Sequence, residues 1–269
     1  MKEFKFESFE KSLPRRKFLL STGMFAAGAV LSACTLTEEP IRLADADSAA
    51  EVPAWPWNYK KLDPEVARKK GYDGYFSNGG CMGGAIVGTL GYLQEEAGAP
   101  FTSIPIEMFK YGAGGAVGWG TLCGALNGAG AFLNLLSKDY SKIYNELIGW
   151  YCGFPFPSDK HESYCKFPGQ ITTVSNSPLC HNSVTIWCTE AGVRFDSQEK
   201  YDRCAKLTGD VAAKAIELLN AEIEGKFIAA YKPTEEHAAC MSCHTGPKSP
   251  IGNVQGKMDC LDCHDDHTK

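Results

Sequence analysis

The chain has 269 residues, 44% of them hydrophobic and 22% charged, with a formal net charge of −5, which is enough to bury one sizeable core or to divide into a domain and a tail. Residues 1–33 hold six of the Lys and Arg and three of the Asp and Glu, so the remainder carries −8. That balance excludes nucleic acid as a partner, because phosphate backbones call for clustered Lys and Arg to displace counterions.

Residues 1–33 read as targeting. Arg15 and Arg16, followed by Leu19 and Leu20, stand before an uncharged run, 18–33, that is too short and too rich in Gly and Ala to span a bilayer comfortably. This resembles a twin-arginine export signal. Leu31-Ser32-Ala33-Cys34 resembles a lipobox, which makes Cys34 the lipid-modified first residue of the exported protein; ordinary cleavage, with Cys34 lost or incidental, and a non-cleaved membrane anchor are the alternatives. Residues 34–54 are polar and lack helical periodicity, as a flexible tether does.

The folded part is expected over 55–230. Asp63 as N-cap, Pro64 at the first helical position and Glu65 in the first turn start a helix toward Gly71. A second helix covers 78–96, where Gly80, Gly84 and Gly88 recur every four residues and Cys81 sits beside the first. Gly120, Gly124 and Gly128 repeat the device over 119–136, with Cys123 beside the middle one. Each glycine costs about 1 kcal/mol of helix propensity against alanine, so six of them on two ridges imply close backbone approach. Ridges that face each other, or that both lie against a cofactor, bring Cys81 and Cys123 into one small space. Residues 111–137 carry no charge, yet eight glycines make a buried helix a better reading than a membrane span.

Residues 139–151 read as an amphipathic helix through Ile143, Leu147 and Trp150. Cys152 and Cys165 flank a loop in which a closing disulfide and a metal role both stay open, and His161 in that loop reads as solvated. Ser177-Pro178 caps a helix that carries Cys180, His181 and Cys188. Eight residues rise about 12 Å along a helix, so Cys180 and Cys188 do not chelate one ion together and need a multi-iron cluster or two separate jobs. Ser197 begins a last long helix to 227, with Tyr201, Leu207, Val211, Leu218 and Ile223 on its apolar stripe. Cys204, on the same stripe, reads as a buried core thiol.

The tail, 231–269, carries Cys240-Met241-Ser242-Cys243-His244 and Cys260-Leu261-Asp262-Cys263-His264. Each is the pattern for covalent c-type haem attachment, in which two thiols match the spacing of the haem vinyl groups and the next histidine ligates iron. Paired Cys-x2-Cys units also fit a zinc ribbon, but a ribbon needs no histidine. With six histidines in the chain, one directly after both pairs is an accident of roughly one in 2000. The reading is two haems c per chain, with His244 and His264 as proximal ligands, His237 as the first distal candidate and His181 as the second. Such haems are attached beyond the bacterial inner membrane, so the export signal and the tail support each other. Of the twelve cysteines, seven remain after the haem thiols and Cys34, an odd number that disulfides cannot pair in full.

Gly118-Trp119-Gly120-Thr121-Leu122-Cys123-Gly124-Ala125-Leu126-Asn127-Gly128, Ser177-Pro178-Leu179-Cys180-His181, Trp187-Cys188 and the two haem units together resemble the split-Soret cytochromes c, dihaem proteins of sulfate-reducing bacteria, from about Gly71 to the end. Cys123 to Gly128, with Cys81 before and Cys180 and Cys188 after, is similar to a broader redox-associated cysteine family labelled C_GCAxxG_C_C. The resemblance implies a mainly α fold: a helical, cysteine-rich N-terminal domain able to hold an iron–sulfur centre, then a small irregular dihaem c tail. It also implies a homodimer that gathers the haems of both chains.

The expected function is electron transfer among periplasmic redox proteins, whose basic patches would complement the acidic surface, with the chain held to a membrane by its N-terminal lipid. Cys81, Cys123, Cys180 and Cys188 are the candidate iron–sulfur ligands. Twin-arginine export carries folded proteins, so a cluster inserted in the cytoplasm is compatible with haem attached afterwards. The competing functions are a reductase with an open haem position, which needs an iron lacking a second strong axial ligand, and a colourless structural zinc protein. No triad, phosphate loop or carboxylate pair suggests other chemistry.

Overall fold

A computed structural model of the protein describes residues 52–268. The export signal, Cys34 and most of the tether lie outside the described residues. Eight α-helices carry the described fold: α1 (Pro64–Ser77), α2 (Cys81–Ile86), α3 (Tyr92–Ala97), α4 (Gly124–Leu136), α5 (Tyr140–Gly153), α6 (Cys180–Ala191), α7 (Gln198–Ile223) and α8 (Glu235–His244). Extended pairing among the described residues is confined to two isolated antiparallel bridges, so the protein is mainly α. No described helix is long and apolar enough to cross a membrane, the uncharged run 111–137 included.

The helix starts follow their caps. Asp63 Oδ1 accepts from the Glu65 amide at 2.8 Å, and α1 continues past Gly71 to Ser77. Ser197 Oγ accepts from the Lys200 amide at 3.2 Å and opens α7. α2 and α3 are joined by a π-helical turn, Val87–Gly91, so 81–97 is one continuous helix with one local register change.

The glycines act by close approach, but not ridge to ridge. A Cβ on Gly84 would lie 2.7 Å from the Tyr75 amide nitrogen, and one on Gly88 would lie 2.7 Å from the Ala67 carbonyl oxygen; both glycines therefore face α1. The α4 ridge packs on the opposite side of the same helix, where a Cβ on Gly124 would meet the Met82 amide at 2.9 Å and one on Gly128 the Met82 carbonyl at the same distance. α2 is thus held between α1 and α4. The helix expected over 119–136 starts only at Gly124, because Gly114, Gly115, Ala116, Val117, Gly118 and Gly120 all have positive φ and make a coiled loop.

α7 is the axis of the core. Its stretch from Asp202 to Ala213 is buried without interruption, where the sequence pattern indicated only a stripe, and its C-terminal Ile223 is exposed. Three polar residues four apart on it pin the loop between α5 and α6. Asp202 accepts from the Lys166 and Phe167 amides, Lys206 Nζ donates to the Phe167 carbonyl at 2.6 Å, and Asp210 accepts from Ser158. His161 belongs to this network. It is fully buried, with Nε2 3.0 Å from Asp210 Oδ1 and Nδ1 2.9 Å from the Tyr164 hydroxyl. That corrects its reading as a solvated loop residue: Asp210, itself paired with Arg68, supplies the partner that lets an imidazole sit in the core.

Candidate metal centres

Cys81 and Cys180 are the first residues of α2 and α6, and Cys123 is the N-cap residue of α4. Backbone pairing brings two of these helix starts together. The Cys123 amide donates to the Pro178 carbonyl at 2.9 Å, the Cys180 amide to the Thr121 carbonyl at 2.8 Å and the His181 amide to the Gly120 carbonyl at 3.1 Å, around an antiparallel bridge between Leu122 and Leu179. Gly120 sits at φ +71°, and a Cβ there would lie 3.2 Å from that of His181, so glycine is required at this crossing. The third start joins through the α2–α4 contact, where a Cβ on Gly124 would lie 3.1 Å from the Cys81 Cβ.

Cys204 completes the group from α7. Its buried thiol lies beside Cys81, and it is within electrostatic reach of Cys123, Cys180 and Cys188. Sequence reasoning placed Cys204 on the buried stripe but gave no sign that this stripe faces the other four thiols. The neighbouring Cys81 thiol, together with Arg203 and Lys200, pulls Cys204 below the ordinary thiol range, and Cys204 in turn raises Cys81. Burial raises Cys123 and Cys188 and pushes Cys180 up to about 12. All eleven described cysteines are free, Cys152 and Cys165 included.

The rest of the lining is rich in donors. Arg203, Tyr151 and Ser183 are buried, and Arg203 Nε and Nη2, Tyr151 Oη and Ser183 Oγ meet no hydrogen-bond acceptor. Among the described residues, no three His, Cys, Asp or Glu side chains converge tightly enough to hold a single metal ion. Five thiols among unpaired donors suit a negatively charged multi-iron group better than one ion.

The tail packs along α5. Glu146 accepts from the Ala230 and Tyr231 amides at 2.8 and 2.7 Å, and Lys257 Nζ donates to Asn145 Oδ1 at 2.7 Å. The Tyr231 ring occupies the space where a side chain on Gly149 would stand. α8 is capped by Thr234, whose Oγ1 accepts from the His237 amide at 3.1 Å, and it carries Cys240, Cys243 and His244. The second unit is a single turn, with the Cys263 and His264 amides donating to the Cys260 carbonyl at 3.2 and 2.9 Å.

Cys240, Cys243, His244, Cys260 and His264 line one cavity of about 290 Å³. His244 Nδ1 is held 3.2 Å from Asn253 Oδ1, which leaves Nε2 as the available ligand nitrogen. Cys263 borders a separate hollow together with His181, next to the cysteine nest. His237 is buried, with Nε2 3.3 Å from the Gly256 carbonyl and Nδ1 without a partner. The donor set of the tail, two thiols and an imidazole in each turn, is the set that covalent haem attachment uses.

Residues 85–218 match the family described as "Putative redox-active protein (C_GCAxxG_C_C)". The chain is 35% identical over 218 residues to the split-Soret cytochrome c of Desulfovibrio desulfuricans (strain ATCC 27774), covering 78% of each sequence. The fold is similar to a solved structure of that cytochrome described as having a novel iron centre, with a TM-score of 0.74 and 33% identity over 79% of this chain and 91% of that one. On this relation the chain belongs to the split-Soret cytochrome c family.

Proposed function

We propose that this chain is an exported electron-transfer protein with two covalently attached haems c in its tail and an iron–sulfur centre in its helical domain. The observation that carries the reading is the pairing, in one body, of two Cys-x2-Cys-His turns on a shared cavity with a nest of five buried or half-buried thiols. The family relation supports both halves, since the relative is a cytochrome c described with an iron centre. Haem and iron–sulfur groups each accept and release single electrons.

This chain's residues would hold and tune those groups. Cys240, Cys243, Cys260 and Cys263 supply the thioether sulfurs, His244 and His264 the proximal nitrogens, and His237, then His181, the distal ones. A flip of the His237 ring would exchange its unpartnered nitrogen for the one facing Gly256. Cys81, Cys123 and Cys180 would be three of the cluster's ligands, and for the fourth place Cys204, which lies beside Cys81, is favoured over Cys188. The remaining proposals are a Cys34 lipid anchor on the periplasmic side, a homodimer, and periplasmic redox proteins as partners.

Mass spectrometry of the protein exported from its native type of host tests these assignments together. The denatured mass should equal a chain starting at Cys34 plus lipid and two haems, and the native mass should be twice that plus the iron and sulfide of two clusters. A colourless chain with zinc, or one starting well beyond residue 34 without lipid, contradicts the corresponding part. His237→Ala should convert one haem from low to high spin in the optical spectrum; an unchanged spectrum removes His237 as a ligand.

A further inference from the structure

Arg203 precedes Cys204 on α7 and is only 1% exposed. Its Nε and Nη2 have no acceptor, and its guanidinium carbon lies 6.0 Å from the Trp187 ring centre. A guanidinium taken out of water with only the neighbouring Cys204 thiol to answer its charge is a costly arrangement in a protein interior. The groups within its electrostatic reach are Cys180, Cys188, Cys204 and Tyr151. Tyr151 Oη, beside Cys123 and Ser183, is a second buried donor without an acceptor, and Ser183 Oγ on α6 is a third. Arg203 reaches Cys180, Cys188 and Cys204, Tyr151 reaches Cys123, and Ser183 stands beside Tyr151, each on a different helix.

Buried polar groups are almost always hydrogen-bonded, so three orphans around one site point to a missing acceptor. Neutral thiols and disulfides accept hydrogen bonds weakly and bring no charge. Thiolates bound to iron, and the sulfides between irons, accept from several donors and carry net negative charge.

We propose that Arg203, with Tyr151 and Ser183, is the positioning shell of the cysteine-held centre, donating to its sulfurs and holding its reduction potential up. This rests on the iron–sulfur reading above. One-electron reduction adds one negative charge to the centre without making or breaking a bond, and a fixed cation beside it favours that reduced state. Removing the cation therefore lowers the potential.

The test uses the full-length haem-loaded protein purified without oxygen, with acid-labile sulfide measured per chain and the non-haem signal followed by electron paramagnetic resonance during a dithionite titration. Arg203→Gln should shift the reduced-to-oxidised ratio at fixed potential about tenfold toward oxidised, a midpoint about 59 mV lower for a one-electron couple. Arg203→Lys should recover most of that shift, and the haem midpoints should stay in place. A centre of full sulfide content that titrates at the wild-type potential in Arg203→Gln overturns the assignment of Arg203 while leaving the iron–sulfur reading intact. A wild-type protein without sulfide overturns both. If Arg203→Gln does not retain the centre, Tyr151→Phe decides, because it deletes one hydroxyl from an otherwise unchanged ring: a downward shift of two- to threefold in the same ratio is expected, and an unmoved midpoint overturns the shell.

Discussion

Cys81, Cys123, Cys180 and Cys188 all lie within electrostatic reach of Cys204, and burial is the first reason that three of them, Cys123, Cys180 and Cys188, hold their protons tightly. Iron binds thiolates, so loading such a nest releases protons and becomes more favourable as pH rises. Cys204 is the thiol already biased toward the anion, by Cys81 and by the nearby cations. Cys204→Ser is therefore expected to lose most of the acid-labile sulfide, while Cys188→Ser, altered two turns along α6 from Cys180, retains it. The opposite pattern would return Cys188 to the ligand set and leave Cys204 as packing.

Single residues were legible where their chemistry is local. The two Cys-x2-Cys-His units need only a turn, and each forms one. Cys204 and His161 depend on what stands opposite them, which spacing does not record: the thiol faces four others from distant helices, and the imidazole finds Asp210, which is 49 positions away.

At the scale of elements, α7 organises the core because residues four apart on it serve one face. Asp202, Lys206 and Asp210 fasten the loop that carries Cys165, and Asp210 also receives Arg68 from α1. Burial alone would raise the Asp210 carboxyl, yet hydrogen bonds from His161 and Ser158 carry it below the usual carboxylate range. A carboxylate depressed in the folded state gives stability that is present above its unfolded pKa, about 4, and is lost as pH falls through the still lower folded value. Asp210→Asn should cost about 3–5 kcal/mol at pH 7, as breaking a buried pair does. The gap to wild type should narrow below about pH 4, read from guanidinium midpoints across pH 2–7. Curves that stay parallel over that range would show that Asp210 does not supply the acid-labile stability.

Helix starts at Asp63 and Ser197 were legible because a cap is a local hydrogen bond. The start of α4 was misplaced by five residues because a glycine repeat has the same spacing in a helix ridge as in a loop that uses positive φ. Likewise, the ridges announced close approach but not its partner, and α1 took the place expected of α4.

At the scale of the molecule, the helical core and the tail form one body, joined through Glu146, Gly149 and Asn145 on α5. His181 stands where the two halves meet. It follows Cys180 of the nest and shares a hollow with Cys263 of the second Cys-x2-Cys-His unit. In the proposed function that adjacency would bring the cysteine-held centre near the haems, and it was not readable from a chain in which the two residues are 82 positions apart.

The most direct measurement is total iron set against haem and acid-labile sulfide in wild-type protein purified without oxygen. More iron than two haems account for, with sulfide in comparable amount, is the expected result. Two irons per chain, all in haem, and no sulfide would contradict it.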